Sequence, residues 1–376
     1  MGAARRGDRG LDAAPARRAV NAAERTRLAR AVQTNCDIAD ARCGADTTLC
    51  IYLLQMREYF RWERGARLDA ALARDEIGAW IAARESLWSS LEEAPFVALP
   101  CPGGGEAVDP FDAAAINRCL LPAGLVYGAG LAASDRPVFF LAELHSAAQR
   151  DGLAVLAAGR ELARGLLAPP AALDATPHAP AIVLRREAVA RWGWEKFETY
   201  ALRRVAGSAL HAAVEAYGFE RGFYAALPRW LAEQGEAMVL HEIGEHRAGE
   251  LLGESWAALR LSLPTRRGEL HARAVRDQLA DFTVTLPTLL DRDASASIHV
   301  WFANYDGVRE LLFPSLKDAY AAWRAGDGGR TLRAAIARGR AHFAGLAGRA
   351  VELHAAGCGG AAIESLLTSP QAMLAK

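Results

Sequence analysis

The densest group of metal-ligating side chains lies in residues 241–246, which read HEIGEH. On a regular α-helix, residues four apart differ by about 40° around the axis, so His241 lies over Glu245 and Glu242 lies over His246. The two histidines are five residues apart and differ by about 140°, so they cannot bind one ion on a regular helix. The spacing therefore predicts two His/carboxylate pairs on neighbouring faces of one helix.

A π-bulge at Gly244 would add one residue to a helical turn and bring the two histidines towards one face. With this His-Glu-x-x-x-His spacing, the segment resembles the zinc helix of dipeptidyl-peptidase III over six residues. The resemblance implies His241 and His246 as zinc ligands and Glu242 as the general base that deprotonates a zinc-bound water. The Glu-Glu-x-Arg-Ala-Glu helix of that family has no counterpart in this chain.

If the helix is regular, the ligand chemistry indicates a different kind of site. Imidazole and carboxylate without thiolate favour iron, manganese or zinc. Helical bundles build carboxylate-bridged di-metal centres by directing such groups inward, although the ferritin-like Glu-x-x-His pattern does not occur here. The helical di-metal arrangement of heme-oxygenase-like proteins is less strict about spacing, and it provides an architectural analogy only.

A metal at this helix needs ligands from elsewhere in the chain. Three segments offer them: Asp277 with Asp281, Glu195 with Glu198, and His299. Asp277 and Asp281 are four residues apart and share a helix face with Arg273, an arrangement that also fits a plain ladder of ion pairs. His299 follows the predicted N-cap Ser297, where the helix dipole favours a neutral imidazole that can bind a metal.

These observations predict a non-haem metalloprotein, an oxidoreductase that uses a divalent metal, iron or manganese, on an unidentified small molecule. Its predicted metal ligands are His241, Glu242, Glu245, His246, His299, Asp277 and Asp281, with Glu242 as the catalytic residue. A zinc hydrolase with the H-E-x-x-x-H helix and a non-enzymatic helical adaptor remain as alternatives. A metal site requires carboxylates or His299 within about 5 Å of His241 or His246.

Composition limits the partners of the chain. The 376 residues contain 44 basic and 44 acidic side chains, so no overall charge attracts nucleic acid or an anionic membrane. With 52% hydrophobic and 23% charged residues, the composition is typical of a folded globular protein. No apolar run reaches the roughly 18 residues of a membrane span, and no export signal is recognised, so we expect a cytoplasmic protein. The oligomeric state is left open.

Periodicity and helix-breaking residues predict a mainly α, helical bundle-like protein with a small antiparallel β-sheet insertion. Strands are expected at Leu125–Leu131 and Pro137–Ser146, and Asp151-Gly152 is expected to form a hairpin turn. Residues 159–170, GRELARGLLAPP, are expected to end a helix. The predicted units are a disordered tail (1–20), an N-terminal helical segment (21–96), a small α+β unit (97–180) and a C-terminal helical domain (181–376).

The six cysteines are predicted to be reduced thiols. Cys36, Cys43 and Cys50 recur every seven residues, but Gly44 and Asp46 between them indicate a helix end and a new helix start. Since no C-x-x-C pair occurs, these cysteines are expected to be buried small hydrophobic residues rather than metal ligands.

Overall fold

A computed structural model describes residues 20–44, 48–131, 136–166, 169–174 and 180–374. Apart from Val20, the predicted disordered tail lies outside the described residues. The helices are α1 (Ala22–Cys43), α2 (Leu49–Glu63), α3 (Arg74–Leu91), α4 (Ala113–Leu120), α5 (Arg186–Leu202), α6 (Ala209–Tyr217), α7 (Phe223–Leu252), α8 (Glu254–Ser262), α9 (Arg266–Ala280), α10 (Leu286–Asp291), α11 (Ser295–Ala303), α12 (Gly307–Leu312), α13 (Leu316–Arg324), α14 (Arg330–Ala355) and α15 (Gly360–Leu367). The strands are β1 (Leu125–Leu131), β2 (Pro137–Arg150), β3 (Leu153–Arg164), β4 (Ala171–Asp174) and β5 (Ala181–Arg185). The fold is therefore mainly α with a small sheet, as predicted.

The five strands form one sheet in the order β1-β2-β3-β5-β4. The pairs β1/β2, β2/β3 and β4/β5 are antiparallel. The β3/β5 pair is parallel, so the sheet is mixed and the prediction of a purely antiparallel sheet was wrong. The difference arises because β4 forms a hairpin-like pair at the sheet edge, after which β5 returns beside β3 in the same direction.

The β2–β3 hairpin forms where the sequence predicts it. Asp151 and Gly152 both have positive φ, 51° and 81°, as a two-residue type I′ turn requires. Strand β3 then continues to Arg164, so the prediction of a helix end at residues 159–164 was wrong. Strand β3 pairs with β2, and the side chains of Glu161 and Arg164 are buried. Strand pairing therefore overrides the local helix propensity of this segment.

Helix α7 begins at Phe223 and continues through Pro228. The start of helix α11 differs from the prediction. Helix α11 begins at Ser295, so Ser297 is not its N-cap. Instead, the buried Ser297 hydroxyl accepts a hydrogen bond from the Gln234 side chain at 3.2 Å. Ser297 therefore connects α11 to α7 through this hydrogen bond.

The large C-terminal core packs α7 against α9 and against the π-helical turn Asp281–Thr285, which connects α9 to α10. This turn ends just before Pro287, whose nitrogen carries no hydrogen and cannot continue a regular α-helical ladder. By contrast, α7 is α-helical along its whole length, so the π-bulge predicted as one option at Gly244 does not form. None of the helices in the described ranges has the length and apolarity needed to cross a membrane.

The spaced cysteines lie on two separate helices, as the helix-breaking residues indicate. Cys36 is buried in α1 and its thiol donates a hydrogen bond to the Phe139 carbonyl oxygen at 3.2 Å. Cys50 is exposed near the start of α2, so the prediction that it is buried was wrong. Its position in the first turn of α2 leaves it outside the core.

Candidate metal centre

Helices α7 and α9 bring three ligand-type side chains to one point. His241, Glu245 and Asp277 each offer one nitrogen or oxygen atom, and these atoms lie within 4.8 Å of one another. His241 and Glu245 are one turn apart on α7, as their spacing predicts, and Asp277 faces them from α9. The two helices therefore assemble a group of one imidazole and two carboxylates.

Gly244 permits the close approach of the two helices at this point. A Cβ atom on Gly244 would lie 2.6 Å from the carbonyl oxygen of Ala280, at the end of α9. Real Cβ atoms do not come this close to backbone oxygen, so any side chain at this position would move the helices apart. Gly244 lies between His241 and Glu245 in the sequence. The close helix contact at Gly244 therefore brings both side chains near α9.

Asp281 holds the His241 ring from the other side. Its Oδ1 atom lies 2.8 Å from His241 Nδ1, and Asp281 is the first residue of the π-helical turn. In the neutral ring, this contact places the proton on Nδ1 and leaves the Nε2 lone pair free. Nε2 lies 3.8 Å from Glu245 Oε1. The ring is therefore oriented as in metal sites where a carboxylate supports a ligating histidine.

Arginines balance two of the three acidic residues. Arg276 forms an ion pair with Glu245 Oε2, which leaves Oε1 on the side of His241. Arg309 Nη1 lies 3.5 Å from Asp281 Oδ2. Among the residues that the structure describes, Asp277 forms no ion pair with an arginine or lysine. The negative charge of Asp277 is thus the one that a bound cation would balance.

The pKa values reflect this crowding of charge. Burial lowers the pKa of His241, but the carboxylates of Asp281, Glu245 and Asp277 raise it to about 10. Burial raises the pKa of Glu245, whereas Arg276 and His241 lower it to about 2. For Asp277, burial and the repulsion of Glu245 and Asp281 raise the pKa to about 6 against the effect of His241. A cation at this point would relieve that repulsion.

The group faces solvent on one side. The side chains of His241 and Glu245 are 29% and 16% exposed, whereas that of Asp281 is 1% exposed. The carboxylate that orients the ring is therefore buried, and the atoms that would bind a cation lie at the surface end of the group. Water or a small molecule can reach this end.

Four of the predicted ligands lie outside the group of His241, Glu245 and Asp277. Asp281 contacts the His241 ring instead, and the other three lie further away. Glu242 is buried and its carboxylate accepts a hydrogen bond from the backbone N–H of Leu173 on β4, and burial raises its pKa to about 7. His246 lies 3.6 Å from Glu250 on the same helix, through Nε2. His299 Nδ1 lies 2.8 Å from the Tyr320 hydroxyl. A regular helix directs Glu242 and His246 away from the face that carries His241.

Glu198 and Arg273, which the sequence analysis also considered, do not contribute to the group. Glu198 forms an ion pair with Arg57 of α2, so it is committed to the contact between α2 and α5. Arg276, rather than the predicted Arg273, pairs with an acidic residue of the group. The spacing of Arg276, one residue before Asp277, gave no sign of this role, because the contact depends on how α9 is rotated against α7.

The chain matches two parts of one protein family. Residues 27–179 match the family of unknown function (DUF6866) N-terminal domain, and residues 190–369 match the family of unknown function (DUF6866) C-terminal domain. The chain thus carries both domains of this family, and the candidate metal centre lies wholly within the C-terminal one. No curated protein and no solved structure matches the chain.

Proposed function

We propose that this protein binds one divalent cation through His241 Nε2, Glu245 and Asp277, and that the bound ion supports an oxidative reaction on a small molecule. The observation that carries the proposal is the convergence of these three side chains within 4.8 Å on two packed helices. Ligands around an ion at about 2.1 Å lie about 3.0–3.4 Å apart, so the donors would close by roughly 1–2 Å. Rotation of the three side chains would supply this movement.

The ligand set favours manganese or iron. One imidazole nitrogen and two carboxylate oxygens form a mostly hard set without sulfur, which suits Mn²⁺ and Fe²⁺. Three protein ligands leave coordination positions open on the exposed side of His241 and Glu245, where water or substrate would bind. Both metals support redox chemistry, and the oxidative reaction in this proposal rests on that property.

Zinc hydrolysis is the second candidate, and the number of ligands favours it. Catalytic zinc sites have three protein ligands and one open position. In this version Asp277 would take the place that the H-E-x-x-x-H spacing assigns to His246. Since Glu242 faces β4, it does not supply the general base from its present position. The identity of the bound metal distinguishes this candidate from the first.

Elemental analysis of protein purified without a histidine tag tests the cation site. We expect about one Mn or Fe per chain in the wild type and a loss of at least tenfold in Asp277→Asn, which keeps the side-chain shape but removes a charged ligand. His246→Gln is the matched control, because it removes a histidine from α7 outside the group and is expected to retain the metal. Equal trace metal in all three proteins would contradict the proposal and favour a helical adaptor.

Asp281→Asn tests the orientation of the imidazole. The asparagine side chain cannot supply the charge that supports His241 Nδ1–H, so we expect metal affinity to fall by about 10–100-fold although every direct ligand is present. Competition with a fluorescent chelator measures the affinity. Asp291→Asn is a suitable control, because Asp291 is exposed on α10 and pairs with Arg333. If Asp281→Asn binds metal as the wild type does, His241 is not held for coordination.

A further inference from the structure

A cleft of about 1070 Å³ lies apart from the candidate metal centre. One wall comes from α1 and α2, where Gln33 and Trp62 line it, and the other from α5 and α7, where Arg191 and Tyr224 line it. None of the lining residues belongs to the group around His241. The cleft thus lies where the N-terminal and C-terminal family domains meet, a common position for small-molecule sites.

Three arginines surround one buried carboxylate, that of Glu161, which lines this cleft. Glu161 Oε1 lies 2.7 Å from Arg185 Nη2, and Oε2 lies 3.3 Å from Arg191 Nη1 and 4.0 Å from Arg164 Nε. All four side chains are at most 10% exposed. A single carboxylate therefore balances three guanidinium groups in a region largely closed to water.

The remaining charges nearby leave a positive excess. Glu187 lines the cleft, and its carboxylate accepts a hydrogen bond from the backbone N–H of Glu161 at 3.1 Å. Burial and repulsion from Glu161 raise the pKa of Glu187. Arg30 also lines the cleft and forms no ion pair with any described residue. Six arginines and four glutamates line the cleft, which gives an excess of two positive charges: Arg25, Arg30, Arg61, Arg64, Arg160 and Arg191 against Glu58, Glu63, Glu161 and Glu187. This excess of positive charge favours an anion in the cleft.

Some donors of the arginine cluster also lack acceptors. Arg164 Nη1 and Arg185 Nε are buried and have no hydrogen-bond partner among the described residues. The Arg164 guanidinium lies 5.8 Å from the centre of the Trp62 ring, which lines the cleft. Neither Arg164 nor Arg185 lines the cleft, so both add positive charge next to Glu161 without contacting a ligand directly.

Aromatic and aliphatic side chains form the rest of the cleft wall. Trp62, Leu68, Tyr224 and Leu227 line it, and the Leu68 N–H donates a hydrogen bond to the Tyr224 hydroxyl at 2.7 Å. The Arg67 guanidinium lies over the Tyr224 ring, 4.0 Å from the ring centre. These contacts fix Tyr224 in place, so the cleft offers a rigid apolar surface beside its charged floor.

We propose that this cleft binds a small organic phosphate, with the phosphate dianion against Arg191 and Arg30 and its apolar part against Trp62 and Tyr224. A dianion balances the excess of two positive charges, and guanidinium groups bind phosphate through two parallel hydrogen bonds. The volume of the cleft accommodates a ligand larger than phosphate alone. The site is independent of the candidate metal centre.

Calorimetric titration of the full chain with phenyl phosphate, inorganic phosphate and benzoate tests the site. We expect phenyl phosphate to bind at least about tenfold more tightly than either of the others, because only it has both a dianion and a ring. Arg191→Gln is expected to weaken phenyl phosphate binding by about tenfold or more. Trp62→Leu is expected to reduce the preference for phenyl phosphate over inorganic phosphate.

Arg30→Gln keeps the test decisive if Arg191→Gln does not fold, because Arg30 is exposed on α1 and its replacement preserves the core. We expect a loss of affinity of about threefold to tenfold in this variant. Arg338→Gln is the matched control, since Arg338 is an exposed arginine on α14 that does not line the cleft. Absence of binding at about 10 mM phenyl phosphate, equal binding of benzoate, or equal affinity in Arg30→Gln and Arg338→Gln would overturn the proposal.

Discussion

Replacing Glu161 by glutamine is expected to lower the free energy of unfolding by about 3–5 kcal/mol. The glutamine side chain fits the same space but leaves Arg164, Arg185 and Arg191 buried without the carboxylate that balances them. A change of this size is a large fraction of the stability of a typical domain. Chemical denaturation followed by circular dichroism measures it.

The same carboxylate makes stability depend on pH in acid. Burial raises the pKa of Glu161, but the three arginines lower it to about 2, below the value near 4.3 of an unfolded chain. Ionised Glu161 therefore stabilises the fold above about pH 4.3, and this contribution is lost as the pH falls towards 2. We expect the wild type to lose more stability than Glu161→Gln between about pH 5 and pH 2.

Two comparisons separate this effect from a general loss of surface charge. Glu143 lies on β2 and forms an exposed ion pair with Arg160 of β3. Glu143→Gln is expected to change the free energy of unfolding by less than about 1 kcal/mol. Arg191→Gln is expected to cost less than Glu161→Gln, because two arginines still balance Glu161 and one repulsive charge is removed. If Glu161→Gln is as stable as Glu143→Gln, the arginines do not depend on Glu161.

Local sequence signals predicted the parts of the fold that depend on neighbouring residues. Positive-φ residues Asp151 and Gly152 fix the hairpin, and the strand at Leu125–Leu131 forms with the predicted boundaries. The pairing of His241 with Glu245 likewise follows from the rise and rotation of a regular helix. In each case the information lies within one element or one turn.

Contacts between distant segments were harder to predict. Asp277 and Asp281 were recognised as candidates, but their distinct positions depend on the π-helical turn that begins at Asp281. The arginine cluster was missed because Glu161 and Arg164 lie in a segment with helical composition that pairs as a strand. Charged residues in a strand with neighbours on both sides indicate a buried ion cluster. This signal can be used only after residues 159–164 are recognised as a strand.

Replacing Gly244 by alanine is expected to lower the free energy of unfolding by about 1–3 kcal/mol. The new Cβ atom would lie 2.6 Å from the Ala280 carbonyl oxygen, so α7 and α9 must separate along a contact that lies in the main core. Gly249→Ala is the matched control on the same helix, because no atom lies within 4 Å of its added Cβ. Alanine favours helix over glycine, so the control is expected to be neutral or more stable by up to about 1 kcal/mol.

The same substitution connects the packing of the fold with the candidate metal centre. Because Gly244 lies between His241 and Glu245, separation of the helices also moves both side chains away from Asp277. We expect Gly244→Ala to bind metal at least about tenfold more weakly with every ligand intact, whereas Gly249→Ala binds as the wild type does. Stability and metal affinity measured on the same samples check both effects. Equal stability of the two variants would contradict the close helix contact, and a destabilised Gly244→Ala with wild-type metal affinity would place the cation elsewhere.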